Sequence, residues 1–260
     1  MHIRLNHCVI IYFMIAAILA GCKSGQTGMA TQSLPPVPTE LPGNPISPGP
    51  QPSPTPDFSK YAFPISINPD QRYLIYLHGK IIEDQGIPAE SPDFGEYEYG
   101  AILEKFEGYG FTVISETRPI NTNSLEYAKK VASQVQILLD TGVPAENISV
   151  VGASKGGDIA INTSHLIENP DIRYVIMAIC NPVEVAGLKQ NGVTLSGKVL
   201  SIYDFADPLA GSCRDLFEFS ENKGLSGSKE IILNVGTGHG ILYKPLDDWM
   251  MPVKNWALGD

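Results

Sequence analysis

The sequence is poor in basic residues and in histidine. Lys and Arg together number 18 against 28 Asp and Glu, so the formal net charge is −10 at pH 7. A nucleic-acid-binding protein neutralises phosphates with clustered Lys and Arg, and no basic run occurs in this chain. The composition therefore argues against a nucleic-acid partner, and only five histidines are present to serve as a general base.

The chain also lacks a hydrophobic run long enough to cross a bilayer, which takes about 20 apolar residues. Its longest run, residues 8–20, has 13 residues and follows a short, weakly basic start, a pattern typical of a secretory signal peptide. Directly after it, the segment Leu-Ala-Gly-Cys at 19–22 resembles a bacterial lipobox. The resemblance implies a signal peptide over residues 1–21, a lipid on Cys22, and an extracytoplasmic protein anchored to a bacterial envelope membrane.

Proline is concentrated in one segment. Residues 23–57 hold ten of the 21 prolines, and such a segment favours extended polyproline II over a packed core. We interpret residues 22–57 as the lipidated cysteine and a tether, with a ligand for a proline-recognition module as the alternative. Residues 58–260 are then one domain, since a chain of this length supports a single sizeable core.

Apolar runs that alternate with helical patterns predict the architecture of this domain. The predicted strands are 73–77, 111–115, 148–152, 174–179, 198–203 and 230–235. The predicted helices are near 97–108, 124–140, 156–168, 211–223 and 241–257. Runs that are apolar throughout indicate strands buried on both faces. The pattern predicts an α/β fold: a doubly wound, mostly parallel sheet of about six to seven strands flanked by helices, with residues 61–65 at most an edge strand.

In such a sheet, ligands bind beyond the carboxyl ends of the strands. The third run is followed at residues 152–157 by Gly-Ala-Ser-Lys-Gly-Gly, which matches the Gly-x-Ser-x-Gly pattern. Its small residues leave room for a sharp strand-to-helix turn that exposes the Ser154 hydroxyl as a nucleophile. The alternative is a Gly-rich turn that only packs closely or binds phosphate, although the P-loop spacing is absent.

Two further strand ends supply a candidate acid and a candidate base. The loop after the fifth run contains Asp204 and Asp207, of which we favour Asp207 and keep Asp204 as the alternative. The loop after the last run contains His239 within a Gly-rich segment. We interpret the other two histidines beyond the signal segment, His78 at a strand end and His165 within a helix, as structural residues.

Together these features make residues 70–260 similar to the α/β-hydrolases, in particular to compact serine esterases and lipases without a cap. Ser154, Asp207 and His239 follow one another in the chain order of that family. The resemblance implies that they form a catalytic triad that hydrolyses carboxylic esters through an acyl-enzyme. It implies no cofactor and no metal, and a small-molecule or polymeric ester as the substrate.

The segment Leu-His-Gly-Lys at 77–80 resembles the His-Gly turn of the same family. By that match, backbone N–H groups near Gly79 or Lys80, with that of Lys155, would form the oxyanion hole. Residues 181–198 are too few for the helical cap that such enzymes often insert between these strands. We therefore expect an open site, which favours an accessible ester over a long-chain lipid.

Two cysteines and several charged residues complete the set of candidates. Cys180 and Cys213 could form a disulfide in an oxidising compartment, with two buried thiols as the alternative, and no ligand spacing resembles a zinc site. Glu83, Asp84 and Arg118 follow strand ends, where they could line the pocket; Arg118 could instead pair with neighbouring Glu116.

Other functions remain open at this level, because a fold does not determine a reaction. One is amide or thioester hydrolysis, or acyl transfer, on the same scaffold. Another is a catalytically silent, lipid-tethered binding protein, and a more distant one is a nucleotide-binding protein. Labelling by a serine-directed probe distinguishes the first group from the other two.

Overall fold

The computed structural model describes residues 57–260. The predicted signal peptide, Cys22 and all but the last residue of the predicted tether lie outside this part of the chain. Ser59–Tyr61 form a short 3-10 helix, and the chain is then irregular up to the first strand. Residues 61–65, predicted to be at most an edge strand, form no strand. Pro64 has no backbone N–H to donate to a strand ladder, which disfavours pairing here.

Eight strands occur in the described part of the chain. They are β1 (Tyr73–Leu77), β2 (Glu90–Ser91), β3 (Gly95–Glu96), β4 (Thr112–Ile114), β5 (Ile148–Ala153), β6 (Arg173–Met177), β7 (Gly197–Asp204) and β8 (Leu225–Leu233). Six form one sheet in the order β4-β1-β5-β6-β7-β8, in which every neighbouring pair is parallel. The small pair β2–β3 is antiparallel. The predicted α/β class with a mostly parallel sheet flanked by helices is confirmed.

The helices in residues 57–260 include two that the sequence patterns did not predict. The seven α-helices are α1 (Lys80–Gln85), α2 (Tyr99–Gly108), α3 (Ser124–Asp140), α4 (Lys155–Ile167), α5 (Pro182–Gln190), α6 (Arg214–Ser220) and α7 (Asp247–Leu258). The unpredicted ones, α1 and α5, are short. The segment 181–198 thus contains helix α5, capped by the Asn181 side chain, which accepts the N–H groups of Val183 and Glu184.

Helices cover both faces of the sheet. Side chains of a strand alternate between its two faces, and those of β1 enter two separate core clusters. Leu74 packs in one cluster with Phe106 of α2 and Trp249 of α7. Ile75 packs in the other with Val131 of α3. Because each fully buried side chain of this kind contributes about 1.5–3 kcal/mol, these two layers supply much of the stability.

A disulfide ties two loops at the carboxyl edge of the sheet. Cys180, just after β6, is bonded to Cys213, just before α6, with the two Cα atoms 5.1 Å apart. The bond closes a loop of sequence separation 33, for which chain entropy predicts a stabilisation of about 3–4 kcal/mol. That loop contains β7 and Asp207. None of the helices in residues 57–260 is both long and apolar enough to span a bilayer.

Candidate active site

Ser154 makes the whole turn between a strand and a helix. Strand β5 ends at Ala153 and helix α4 begins at Lys155. Ser154 has φ 52° and ψ −120°, a strained conformation for a residue with a side chain, which costs about 1–3 kcal/mol. Backbone hydrogen bonds hold it there, since its N–H donates to the Met177 carbonyl at 2.8 Å and its own carbonyl accepts the Gly157 N–H at 2.7 Å.

Three predicted side chains from three loops meet at this turn. Nε2 of His239 lies 3.0 Å from Oγ of Ser154, and Nδ1 of His239 lies 2.7 Å from Oδ2 of Asp207. The Asp207 side chain is fully buried, and its Oδ1 accepts the Leu209 N–H at 2.9 Å. Because a carboxylate can only accept, Nδ1 carries the proton. Nε2 is then free to accept the hydroxyl proton of Ser154.

Asp204, the alternative acid, has a different set of partners. It is fully buried, and its Oδ1 accepts the Ala206 N–H at 2.8 Å. Its Oδ2 accepts the N–H groups of Val235 and Gly236, each at 3.0 Å. Asp204 therefore ties the loop of Asp207 to the loop that leads to His239. Of the two carboxylates, it is Asp207 that contacts the imidazole.

The predicted oxyanion residues lie beside the serine. Gly79 and Lys80 line the same cavity as Ser154, and Lys155 starts helix α4, where the first N–H groups have no acceptor within the helix. Tyr97 lies against Gly79. Burial raises the pKa of Tyr97 to about 12, whereas the Tyr76 hydroxyl and a hydrogen bond from the Gly79 backbone act in the opposite direction.

A cavity of about 230 Å³ opens at the serine. Its lining residues are Gly79, Lys80, Ile81, Tyr97, Ser154, Leu209, His239, Leu242 and Tyr243. A larger groove, of about 500 Å³, lies beside Phe58 and Ile87 and includes no residue of the Ser–His–Asp group. The smaller cavity is therefore the one relevant to chemistry at Ser154.

The sequence patterns did not predict the aromatic wall of this cavity, which consists of Tyr97 and Tyr243. The segment between α1 and α2, which contains the β2–β3 pair, brings Phe94 and Tyr97 against Tyr243, with ring centroids 5.2 and 5.0 Å apart. The segment has no helical or strand periodicity, so the sequence carries no signal for its path. The segment supplies Tyr97 to the cavity by packing against Tyr243, a residue far along the chain.

Comparison with known proteins supports the architecture. No protein-family model and no curated protein matches the chain. A hyperthermophilic esterase from the archaeon Pyrobaculum calidifontis is similar with a TM-score of 0.50 and 18% identity, over 72% of this chain and 75% of that one. Arabidopsis thaliana SOBER1 also gives 0.50, at 12% identity, over 72% of this chain and 97% of that one. The chain has the α/β-hydrolase fold. At such identities the likeness concerns the fold alone.

Within this α/β-hydrolase fold, the charged residues that could have lined the pocket form ion pairs. Glu83 lies in α1, and its fully buried side chain forms an ion pair with that of Arg118 at 2.6 Å. Glu116 pairs with Lys130 instead of Arg118. Burial explains the Glu83–Arg118 pair, because a charge withdrawn from water requires a partner. Asp84 pairs with Lys80 on the surface.

No group of His, Cys, Asp and Glu in residues 57–260 has the arrangement of a metal site. His165, predicted to be structural, lies half-buried beside Thr194, with Nδ1 3.3 Å from its hydroxyl oxygen. His78, also predicted to be structural, is completely buried. Its Nδ1 lies 2.8 Å from the Gly79 carbonyl, and its Nε2 accepts the Arg118 N–H at 3.0 Å. The second contact requires an unprotonated Nε2, so the ring is neutral with its proton on Nδ1.

We expect His78 to make the protein sensitive to acid. Burial, with the nearby Arg118 charge as a second cause, lowers the pKa of His78 from 6.5 to about 3. Since the folded-state pKa is the lower one, the contribution to stability is complete above pH 6.5 and declines as the pH falls toward 3. The decline is about 1.4 kcal/mol per pH unit.

Urea unfolding at a series of pH values measures this effect. The free energy of unfolding of the wild type should fall more steeply below pH 6.5 than that of His78→Gln, whose amide does not titrate. Parallel curves for the two proteins would show that another group is responsible.

Proposed function

We propose that this protein is a serine hydrolase, and specifically a carboxylic ester hydrolase, with Ser154 as nucleophile, His239 as general base and Asp207 as its partner. The observation that carries the proposal is the continuous hydrogen-bond chain from Ser154 through His239 to Asp207. The strained turn at Ser154 supports it, since it presents the hydroxyl group at the start of a helix.

The proposed reaction proceeds by two acyl transfers. His239 Nε2 takes the proton of the Ser154 hydroxyl as Oγ bonds to the ester carbonyl carbon. The tetrahedral intermediate collapses, the bond to the leaving oxygen breaks, and His239 gives its proton to the departing alcohol. Water then attacks the acyl-enzyme by the same route and releases the acid. Asp207 orients the imidazole and stabilises its charged form while it holds the proton.

The oxyanion would be held by backbone N–H groups on two sides. Lys155 supplies one from the first turn of α4. We assign the other to Lys80, because it lines the same cavity as Ser154 and is the first residue of α1, where an N–H has no acceptor within the helix. Each such donor accelerates acyl transfer by about 10²–10³-fold, since it is aimed at charge that develops only in the transition state.

The cavity favours a small group at the reacting carbonyl. Its volume is about 230 Å³, and a water-sized group takes roughly 30 Å³, so a short acyl or alcohol part fits and a long lipid chain does not. Ile81, Leu209 and Leu242, with the aromatic wall, favour an apolar group. The proposed substrate is therefore an ester with a compact apolar part on one side of the scissile bond.

A fluorophosphonate probe tests the proposal. The purified wild type should be labelled covalently, and Ser154→Ala should not. Ser133→Ala, which removes an exposed serine of α3, should be labelled like the wild type.

The same probe tests the proposed lipid on Cys22 in cells. The labelled wild type should be found with the membranes, and labelled Cys22→Ala with the soluble fraction.

A folded wild type that resists the probe would contradict the proposal and favour the silent binding protein. If the probe reacts but esters are not hydrolysed, the same serine serves amide, thioester or acyl-transfer chemistry, and a panel of those substrates identifies which.

A further inference from the structure

A cluster of three charges, two of them fully buried, lies behind the serine turn. Oε1 of Glu83 accepts from Nε of Arg118 at 2.6 Å, and Oε2 accepts from Nζ of Lys155 at 2.6 Å. Nζ of Lys155 also donates to the Thr122 carbonyl at 2.6 Å. The side chains of Glu83 and Arg118 are fully buried, and that of Lys155 is 19% exposed. With two cations and one anion, the cluster has a formal net charge of +1.

Each member of this cluster is attached to one side of the proposed oxyanion hole. Lys155 follows Ser154 and supplies one donor from its own backbone. Glu83 lies in α1, the helix that begins at Lys80, the other proposed donor. Arg118 fixes His78, the residue before Gly79. Its backbone N–H donates to the His78 ring, and its Nη2 donates to the His78 carbonyl.

Stability alone does not account for such a cluster. Removing charges from water is unfavourable, and buried ion pairs are often no more stabilising than apolar residues of similar volume. The Glu83 carboxylate, however, contacts both cations, and it thereby joins α1 to α4. A net positive charge in a buried site also stabilises negative charge that develops nearby.

We propose that Glu83 is a positioning residue for the oxyanion hole. Its carboxylate, held between Arg118 and Lys155, sets the distance between the N–H groups of Lys80 and Lys155, and it keeps the Lys155 charge behind the serine. The inference rests on the proposed hydrolase function, and it adds to that function a role for side chains that do not touch the substrate.

Two variants of the purified protein test this role with a 4-nitrophenyl ester of a short acid. Glu83→Gln removes the joining charge. Lys155→Met removes one cation but leaves the neutral Arg118–Glu83 pair and the backbone N–H of residue 155 in place. Lys130→Met is the matched control, because it breaks an exposed Lys–Glu pair with Glu116. All rates are divided by the concentration of active sites, titrated with the fluorophosphonate.

We expect kcat per active site to fall about 10- to 100-fold in both variants, because small displacements of catalytic groups have effects of this size. KM should change by less than about threefold, because the lost interaction belongs to the transition state. The affinity for a phenylboronic acid, whose adduct with Ser154 is tetrahedral and anionic, should fall with kcat. Lys155→Arg, which keeps the charge, should recover most of the activity, and Lys130→Met should match the wild type.

A merely structural role would reduce the titrated concentration of sites and leave kcat per site and boronate affinity unchanged, which would overturn the inference. If Glu83→Gln does not fold, the Lys155 variants decide the question alone. A wild type without a titratable serine would overturn the proposed function and this inference together, whereas an active wild type with unaffected variants would overturn only the inference.

Discussion

Asp207→Asn is expected to lower kcat by about 10³–10⁴-fold without unfolding the protein. The Asp207 carboxylate accepts from Nδ1 of His239 at 2.7 Å and so keeps the ring proton on that nitrogen. An amide turned to donate to Nδ1 would leave the proton on Nε2, which then cannot accept the hydroxyl proton of Ser154. The imidazolium that forms during the reaction also loses its counter-charge.

Asp204→Asn is the matched comparison, because this carboxyl is equally buried but does not touch the imidazole. Its three backbone N–H partners lie in the two loops that lead to Asp207 and His239. The variant loses charge-assisted hydrogen bonds, each worth about 1.5–3 kcal/mol, so we expect a lower melting temperature and a much smaller loss of kcat per titrated site. Equal losses of kcat in both variants would contradict the assignment of Asp207 as the acid.

Gly156→Ala is expected to prevent folding. A Cβ at residue 156 would lie 1.9 Å from the Leu77 carbonyl oxygen and 2.9 Å from that of His78. These are backbone atoms at the end of β1, which is paired with β5 along its whole length, so no side-chain rearrangement relieves the clash. The destabilisation should exceed about 4–5 kcal/mol, a large share of the 5–15 kcal/mol typical of a folded domain.

Gly187→Ala provides the control for this substitution. Gly187 lies inside helix α5, where an added Cβ meets no atom within 4 Å. Alanine is favoured over glycine in a helix by about 0.5–1 kcal/mol, so the variant should melt slightly above the wild type. Circular dichroism and the yield of soluble protein measure both variants. A folded Gly156→Ala with an unchanged melting temperature would show that the turn at Ser154 is not as tight as described.

The predictions from sequence succeeded where the signal is local. The runs at 73–77 and 148–152 are apolar throughout because both faces of these strands are covered, and they correspond to β1 and β5. The last strand was harder to predict. β8 begins at Leu225 rather than residue 230, because an edge strand is only partly buried and its first half carries Ser, Gly and Lys in place of apolar residues.

The other wrong predictions concern the start of the last helix and the short helix α1. The last helix begins at Asp247 rather than residue 241, since Gly238–Leu242 form a 3-10 turn and Pro245 separates it from α7. Helix α1 was not predicted because its six residues contain too few turns for a helical pattern to emerge. Its omission led to the interpretation of Glu83 as a residue beyond a strand end that could line the pocket.

The amino-acid sequence by itself determined the class of the fold, the serine turn and the loops that carry the candidate acid and base. These follow from residue patterns within one strand, one turn or one helix, where cause and consequence are a few residues apart. The tertiary structure alone placed Asp207 rather than Asp204 against His239, paired Cys180 with Cys213, buried Glu83 between two cations and built the aromatic wall. Each of these depends on the distance between residues far apart in the chain, and that distance exists only once the sheet and its helices are packed.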